Sequence, residues 1–515
     1  MKAEKQGPEC IVRARLCHTL ARHRQPIDAI AIRDGRIIAL GRWRELARHH
    51  ARETAVCDVR DAVVTPGLVD CHTHFFYWAL TRAHVSDLGV LPTLDAVLHE
   101  LHTAARKQRL GGWVLARGFE HNRWPGGLPT AADLDRAVPD GPALVTSRDG
   151  HTAWLNTPAL RAARISPDTP DPPRGRYLRD PRGRPTGIVQ EAAIDTLPNP
   201  LRDFAARQDA EATRLIDRAL RRAYRAAWAC GIVGVHTMDD AASLFHLQRH
   251  RVSGELGLRV VHAVPLRDFP AARQLGLRSG LGDEWLRLGG IKIFADGALG
   301  SQTAYMLKPY PGRGGYCGVP VIAGEELREA VREITRCGWA SWIHAIGDRA
   351  AREAVAAIAA AGSATIPHRI EHAQCVRPAD MRRMAQARIV ASVQPCHLLG
   401  DISNADIHWP KARRYAFPLR AFEEAGVTLA AGSDVPIESL DPRRSLSAAT
   451  NRTDEQGRPA GGWFPQQRLS IRAALRAFTQ GAASAISGLN GPGALEVGAP
   501  ADLTQIGRAS CRERV

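Results

Sequence analysis

Lysine is almost missing from this sequence: six of the 69 basic residues are lysine (Lys2, Lys5, Lys107, Lys292, Lys308 and Lys411) and the rest are arginine. Where arginine has displaced lysine so widely, a lysine kept inside an apolar segment is there for its amine, which arginine cannot supply. Cysteine is sparse too. Ten cysteines with no C-x-x-C pair exclude a zinc ribbon and do not form the pattern of a disulfide framework. There is no uncharged apolar run of about 18 residues, so no membrane span is expected. The first 25 residues are charged throughout and lack an apolar core, so no signal peptide is read and the cytoplasm is the expected compartment. Basic blocks are also missing. The formal net charge is +16, but the arginines are scattered and no nucleic-acid motif accompanies them. Nucleic acid is therefore the weaker rival reading of the charge, and neither nucleic acid nor membrane is expected as a partner.

What is present is ordinary globular material, 44% hydrophobic and 24% charged. The 515 residues suit a barrel-sized catalytic domain with one smaller unit. The final stretch, 506–515 (IGRASCRERV), has no periodicity and resembles a translated sequencing adapter. The natural protein is expected to continue past about Thr504 in a different sequence.

Residues 1–62 contain short alternating strands with an Asp34-Gly35 hairpin turn. VVTPGLVDCHTH follows as an apolar strand ending in polar residues. From Ile232 onward, short apolar runs alternate with Ala/Arg/Glu-rich helices: GIVGVHTM, LRVVHAV, GGIKIFADG, ASWIHAIGD, HRIEHAQ, RIVASVQPCH and VTLAAGSDVPI. Continuous apolar runs fit strands buried on both faces of a parallel sheet. Their alternation with helices suggests a (β/α)8 TIM barrel, whose active site forms at the C-terminal strand ends. Several of those ends carry ionisable residues: His72 and His74, Lys292, His344, His372 and Asp434.

In His-x-His on a strand both imidazoles lie on one face, where they can clasp a metal. Lys292 sits mid-run among apolar residues, where a free ammonium is costly. Reaction with CO2 would turn it into a carbamate able to bridge two cations. A lysine that snorkels or pairs with Asp296 is the plainer but lesser reading. His344 and His372 supply imidazoles for a second cation. Asp434 would be the last ligand and a proton shuttle.

VTPGLVDCHTH, the strand lysine, IHAIGDRA, RIEHAQ and GSDVPI together resemble the amidohydrolase superfamily. SRDGHTAWLNTPAL, KIFADGALGSQTA and SVQPCH resemble its family 3 branch, which contains the N-substituted formamide deformylases. The likeness runs from about Ile11 to Asp502. It implies a distorted TIM barrel over residues 63–480, flanked by a β-sandwich built from both chain ends (1–62 and 481–505). It also implies two divalent ions, zinc by expectation, bridged by carboxylated Lys292. His72, His74 and Asp434 would bind one ion, and His344 and His372 the other. A metal-bridging hydroxide would attack the substrate and Asp434 would pass its proton to the leaving nitrogen.

Spacing tests this, since one strand–helix unit takes roughly 31 residues. His344 to His372 is 28 residues and His372 to Asp434 is 62, which are one and two units. His74 to Lys292 is 218, far more than three units need. An insertion is therefore expected at about 77–200, with WVLARGF and ALVTSRDGH outside the barrel. RGRYLRDPRGRPTGIV within it reads as a hairpin, a candidate lid. His151, Trp154 and Asn156 of the insertion, Asp296, Ser301 and Gln302 after the strand lysine, and Gln394 are candidate substrate contacts, with His236 ranked beside Gln394. Asp348 and Glu371 are expected to orient the ligand histidines. Cys71 is read as packing, and His121, His246, His250 and His397 as surface or structural. The expected activity is metal-dependent hydrolysis of a non-peptide C–N bond in a small amide or formamide. A cyclic-amide hydrolase, an esterase and an inactive ligand-binding relative are the alternatives, and a homodimer is the default assembly.

Overall fold

The computed structural model describes residues 7–507 apart from 22–24, 50–52, 90, 108, 120–123, 125–126, 148–151, 174, 455, 490 and 492. The chain divides into two units, 1–75 with 223–515, and 76–222.

Asp34 and Gly35 both take positive φ (50° and 66°), the geometry of a two-residue hairpin turn that an Asp-Gly pair adopts at least cost. They join Ile27–Arg33 to Arg36–Gly41. These strands belong to a five-stranded sheet whose order continues through Cys10–Cys17 and Ala55–Pro66 to Leu503–Ile506. Both chain ends therefore feed the flanking β unit, but as one sheet among the described residues. Alternation gives it two apolar faces. Val12, Ile30, Ile37 and Val64 pack on one, and Ile11, Ala29 and Ala31 pack under Leu46 on the other. Ile506, the first residue of the stretch expected to be foreign, pairs with Val63; residues 508–515 lie outside the described residues.

The same unit holds eight parallel strands in sequential order: Leu68–Thr73, Ile232–Thr237, Arg259–Pro265, Leu286–Phe294, Ser341–Ala345, Arg369–His372, Val390–Val393 and Leu429–Ala431. Their continuous apolar runs are buried on both sides. Ile291, Ile293, Ile343, Ile370 and Val393 pack outward against Leu327, Val331, Val355, Ile358 and Met384 of the surrounding helices. The barrel closes just beyond the strand ends. Asp434 N donates to His72 O (2.7 Å) and His74 N to Val435 O (2.8 Å). Asp70 reinforces this seam by accepting from Ser433 N and His72 N.

Residues 76–222 have their own six-stranded sheet, in the order Gly175–Arg179, Pro185–Glu191, Thr152–Leu155, Ala143–Ser147, Val114–Phe119 and Val85–Asp87. It contains Val114–Phe119 of WVLARGF and Ala143–Ser147 of ALVTSRDGH, and the hairpin strands Gly175–Arg179 and Pro185–Glu191, read as a lid, are its edge pair. Among the described residues no helix is long and apolar enough to cross a membrane.

Candidate metal centre

Five strand ends converge on one point. His72 Nε2 and His74 Nε2 each lie 3.5 Å from Asp434 Oδ1. The His72 and His372 rings are 4.7 Å apart and those of His344 and His372 4.5 Å. Lys292, 4% exposed, lies in the wall of the same cavity of about 440 Å³. Phe294, Leu299, Ile346 and Ile437 line its apolar side; Gln374, His397, Asp401 and Glu438 line the rest.

Hydrogen bonds set the imidazole tautomers. His72 Nδ1–H donates to Glu371 Oε2 at 2.6 Å, leaving Nε2 as a lone pair toward Asp434. His344 Nε2–H donates to Gly297 O at 3.0 Å, leaving Nδ1 free. His344 Nδ1, His372 Nδ1 and Asp434 Oδ1 are buried with no hydrogen-bond partner. Orphaned buried acceptors are costly. Three of them in one cluster, beside His72 and His74, form a donor set that a divalent cation would satisfy.

Electrostatics agree. Burial lowers the pKa of every ligand-type histidine: His74 to about 4, His344 to about 3, and His72 and His372 well below their ordinary value. The imidazoles are therefore neutral, the form that binds metal. Burial raises Asp434 to about 7, against the opposing pull of Lys292. Lys292 is itself lowered to about 8 by burial, with Glu371 and Asp434 opposing. Neutral amine is the form that reacts with CO2. His72, His74 and Asp434 offer atoms within 4.8 Å of one another, and so do His372, His397 and Asp434.

A second layer holds this cluster. Glu371 Oε1 pairs with Arg369 Nε at 2.8 Å. The fully buried Arg369 guanidinium lies 3.9 Å from the Trp342 ring centroid and donates to Cys71 O, Ser392 Oγ and His236 Nδ1. Glu371 thus fixes the ring of His72 rather than that of its chain neighbour His372. Asp348 does not do so: it accepts from Leu307 N and pairs with Arg377. The loop that carries His344 onward is held instead by Asp296, whose carboxylate accepts from Ile346 N, Gly347 N and Tyr305 N. Those three bonds commit the Asp296 carboxylate mainly to backbone, and it does not line the cavity that holds Lys292.

The remaining expected contacts separate. Ser301 Oγ bonds Thr303 Oγ1 and Ala298 O within its own loop, and Gln302 turns that loop with φ 56°; the loop reaches the cavity through Ala298, Leu299 and Gly300. Gln394 is buried, donates to Ser392 O and is not among the cavity-lining residues. His236 is buried against Trp342 rather than facing the mouth. Trp154 is fully buried in the core of unit 76–222, with Nε1 donating to Thr130 O. Asn156 is fully buried and spent on four backbone bonds, to Ala143, Ala159, Val138 and Gly141, the one from Ala159 N capping the helix Thr157–Ala162 and the one from Ala143 N fixing the strand beside it. Both serve packing. His151 lies outside the described residues. Conversely, His397 is no surface histidine: it lies in the cavity wall with its ring stacked 5.9 Å from that of His372. It starts a helix after strand seven rather than ending a strand, and the only sequence signal was its place in SVQPCH.

Comparison with known proteins gives the family. A family model described as "Amidohydrolase family" matches residues 55–509. The chain is 31% identical over 499 residues to protein LONG AFTER FAR-RED 3 of Arabidopsis thaliana, covering 94% of this chain and 85% of that protein. It is 27% identical over 497 residues to the N-substituted formamide deformylase of Arthrobacter pascens, covering 93% and 90%. In fold it is similar to an uncharacterized metal-dependent hydrolase from Pyrococcus furiosus, with a TM-score of 0.80 at 23% identity over 97% of this chain and 99% of that one. The chain belongs to the amidohydrolase family of hydrolases.

Proposed function

We propose that this hydrolase cleaves the C–N bond of a small N-substituted formamide or amide. The observation that carries the reading is the cluster of unpartnered acceptors on His344, His372 and Asp434 beside His72, His74 and Lys292. His72, His74 and Asp434 would hold one divalent cation and His344 and His372 a second, zinc in each case, with carboxylated Lys292 between them. When bound, such cations supply a water of lowered pKa at neutral pH and polarise a carbonyl. The likeness to a formamide deformylase across nearly the whole chain supports the substrate class.

The residues then have distinct tasks. Lys292 Nζ, as free amine, adds to CO2 and loses one proton, becoming an anion. Asp434 accepts the proton of the attacking water and delivers it to the departing nitrogen, since the C–N bond cannot break without a protonated leaving group. Glu371 and Gly297 fix which nitrogen His72 and His344 present. Phe294, Leu299 and Ile437 offer an apolar N-substituent a surface on which water is excluded. The test is direct: metal content by elemental analysis, then amine release from a panel of N-alkyl and N-benzyl formamides. Metal-loaded protein that releases no amine from any of them refutes the substrate assignment.

A further inference from the structure

His397 lies beside the metal-type ligands, and its Nε2 is buried without a hydrogen-bond partner, 3.7 Å from Asp434 Oδ2. With His372 and Asp434 it is close enough to hold a cation. Its tautomer argues otherwise. Gln374 Nε2 is 3.4 Å from His397 Nδ1 and 3.5 Å from Asp401 Oδ2. An ionised carboxylate only accepts, so Asp401 requires the amide nitrogen, not its oxygen, on that side. The same nitrogen then donates its second hydrogen to His397 Nδ1. A neutral imidazole accepting at Nδ1 carries its proton at Nε2, and a protonated Nε2 cannot bind metal. The Asp401–Gln374 pair thus makes His397, a cavity-wall residue, a donor at Nε2, 3.7 Å from Asp434 Oδ2.

We propose that His397 is a catalytic residue: its Nε2–H donates a hydrogen bond to the oxygen of the attacked carbonyl as that oxygen becomes anionic, and it is not a metal ligand. As the new C–O bond forms, the carbonyl π pair moves onto this oxygen. When the C–N bond breaks, the pair returns and the nitrogen leaves with the proton held by Asp434. His397 keeps its own proton throughout. Such a donor fixed in advance costs no reorganisation when charge develops, and removing one lowers kcat by roughly 10²–10³-fold. Only the identity of the oxygen rests on the amide-hydrolysis reading above.

The experiment uses metal-loaded full-length protein, wild type and the H397A and H397Q variants. It measures metal per chain after dialysis against a chelator, affinity for methylphosphonate (a tetrahedral anion), and kcat on formamides. The expected result is unchanged metal in H397A, methylphosphonate binding weaker by tenfold or more, and partial recovery in H397Q, whose amide restores an N–H. Metal loss in H397A, or methylphosphonate bound as tightly as by wild type, overturns the proposal. Weaker methylphosphonate binding in H397A, with no formamide cleaved even by wild type, removes the formamide reading and leaves the donor assignment standing.

Discussion

Glu371 Oε2 and His72 Nδ1 meet at 2.6 Å inside the barrel, with both side chains closed to solvent. Because Glu371 also pairs with Arg369, one carboxylate sets the tautomer of a ligand-type histidine and neutralises a buried guanidinium. Glu371→Gln keeps the shape but loses the charge. It is expected to weaken metal binding by roughly 10–100-fold, the usual effect of removing such a partner, read by chelator competition. Glu371→Ala additionally strands Arg369 and should yield little soluble protein.

Asp434 is expected to matter more for turnover than for metal retention. In Asp434→Asn the amide oxygen can still face the cation but cannot carry the proton, and general acid–base catalysis contributes roughly 10²–10⁴-fold. Metal analysis beside steady-state kinetics checks this. Near-normal turnover in the variant refutes the shuttle role.

Lys292→Arg keeps a buried cation but cannot form a carbamate. Fewer than two metals per chain are expected, with activity lost. Elemental analysis finding two per chain in that variant would count against carboxylation of the lysine.

Gly432 leaves no room for a side chain. A Cβ there would lie 2.6 Å from His72 N and 2.7 Å from Asp70 Oδ1, both fixed in the barrel seam. Gly432→Ala should cost about 1–3 kcal/mol as overpacking and disturb His72. Thermal unfolding of the metal-free protein separates the stability loss from the metal effect.

His368 gives an acid-sensitive element outside the cavity. It is buried, with Nδ1 accepting from Ser341 N and Nε2–H donating to Gly362 O, so only the neutral ring fits. Burial lowers its pKa from 6.5 to about 4. The folded state then binds this proton less readily than the unfolded state. The stabilisation is complete above about pH 6.5 and is lost as pH falls toward 4, by about 3 kcal/mol in all. Denaturant unfolding across that range should show a shallower acid loss in His368→Asn than in wild type.

The barrel was legible because its strands are buried on both faces, and that requirement writes itself as apolar runs. The convergence of candidate ligands was legible because five such runs end in ionisable residues, a coincidence that packing alone does not produce. What failed to read has a common cause. Trp154 and Asn156 look like contacts in sequence because aromatic and amide side chains also serve cores and helix caps, and only hydrogen-bond saturation tells these apart. Asp296 took the supporting role expected of Asp348, because adjacency along the chain does not say which backbone amides a carboxylate will reach. His397 was passed over because it opens a helix, and the period-two logic that exposes strand-end ligands is silent there.

The barrel seam has a temporal consequence. Asp70 and Ser433, which tie its first strand to its last, are 363 residues apart. At roughly 5–20 residues per second of synthesis, the first strand with His72 and His74 waits on the order of 20–70 s for the partner that brings Asp434. Until then the nascent chain can present two imidazoles but not the cluster that includes Asp434, so that cluster can assemble only after nearly the whole chain has been released and not during its early folding.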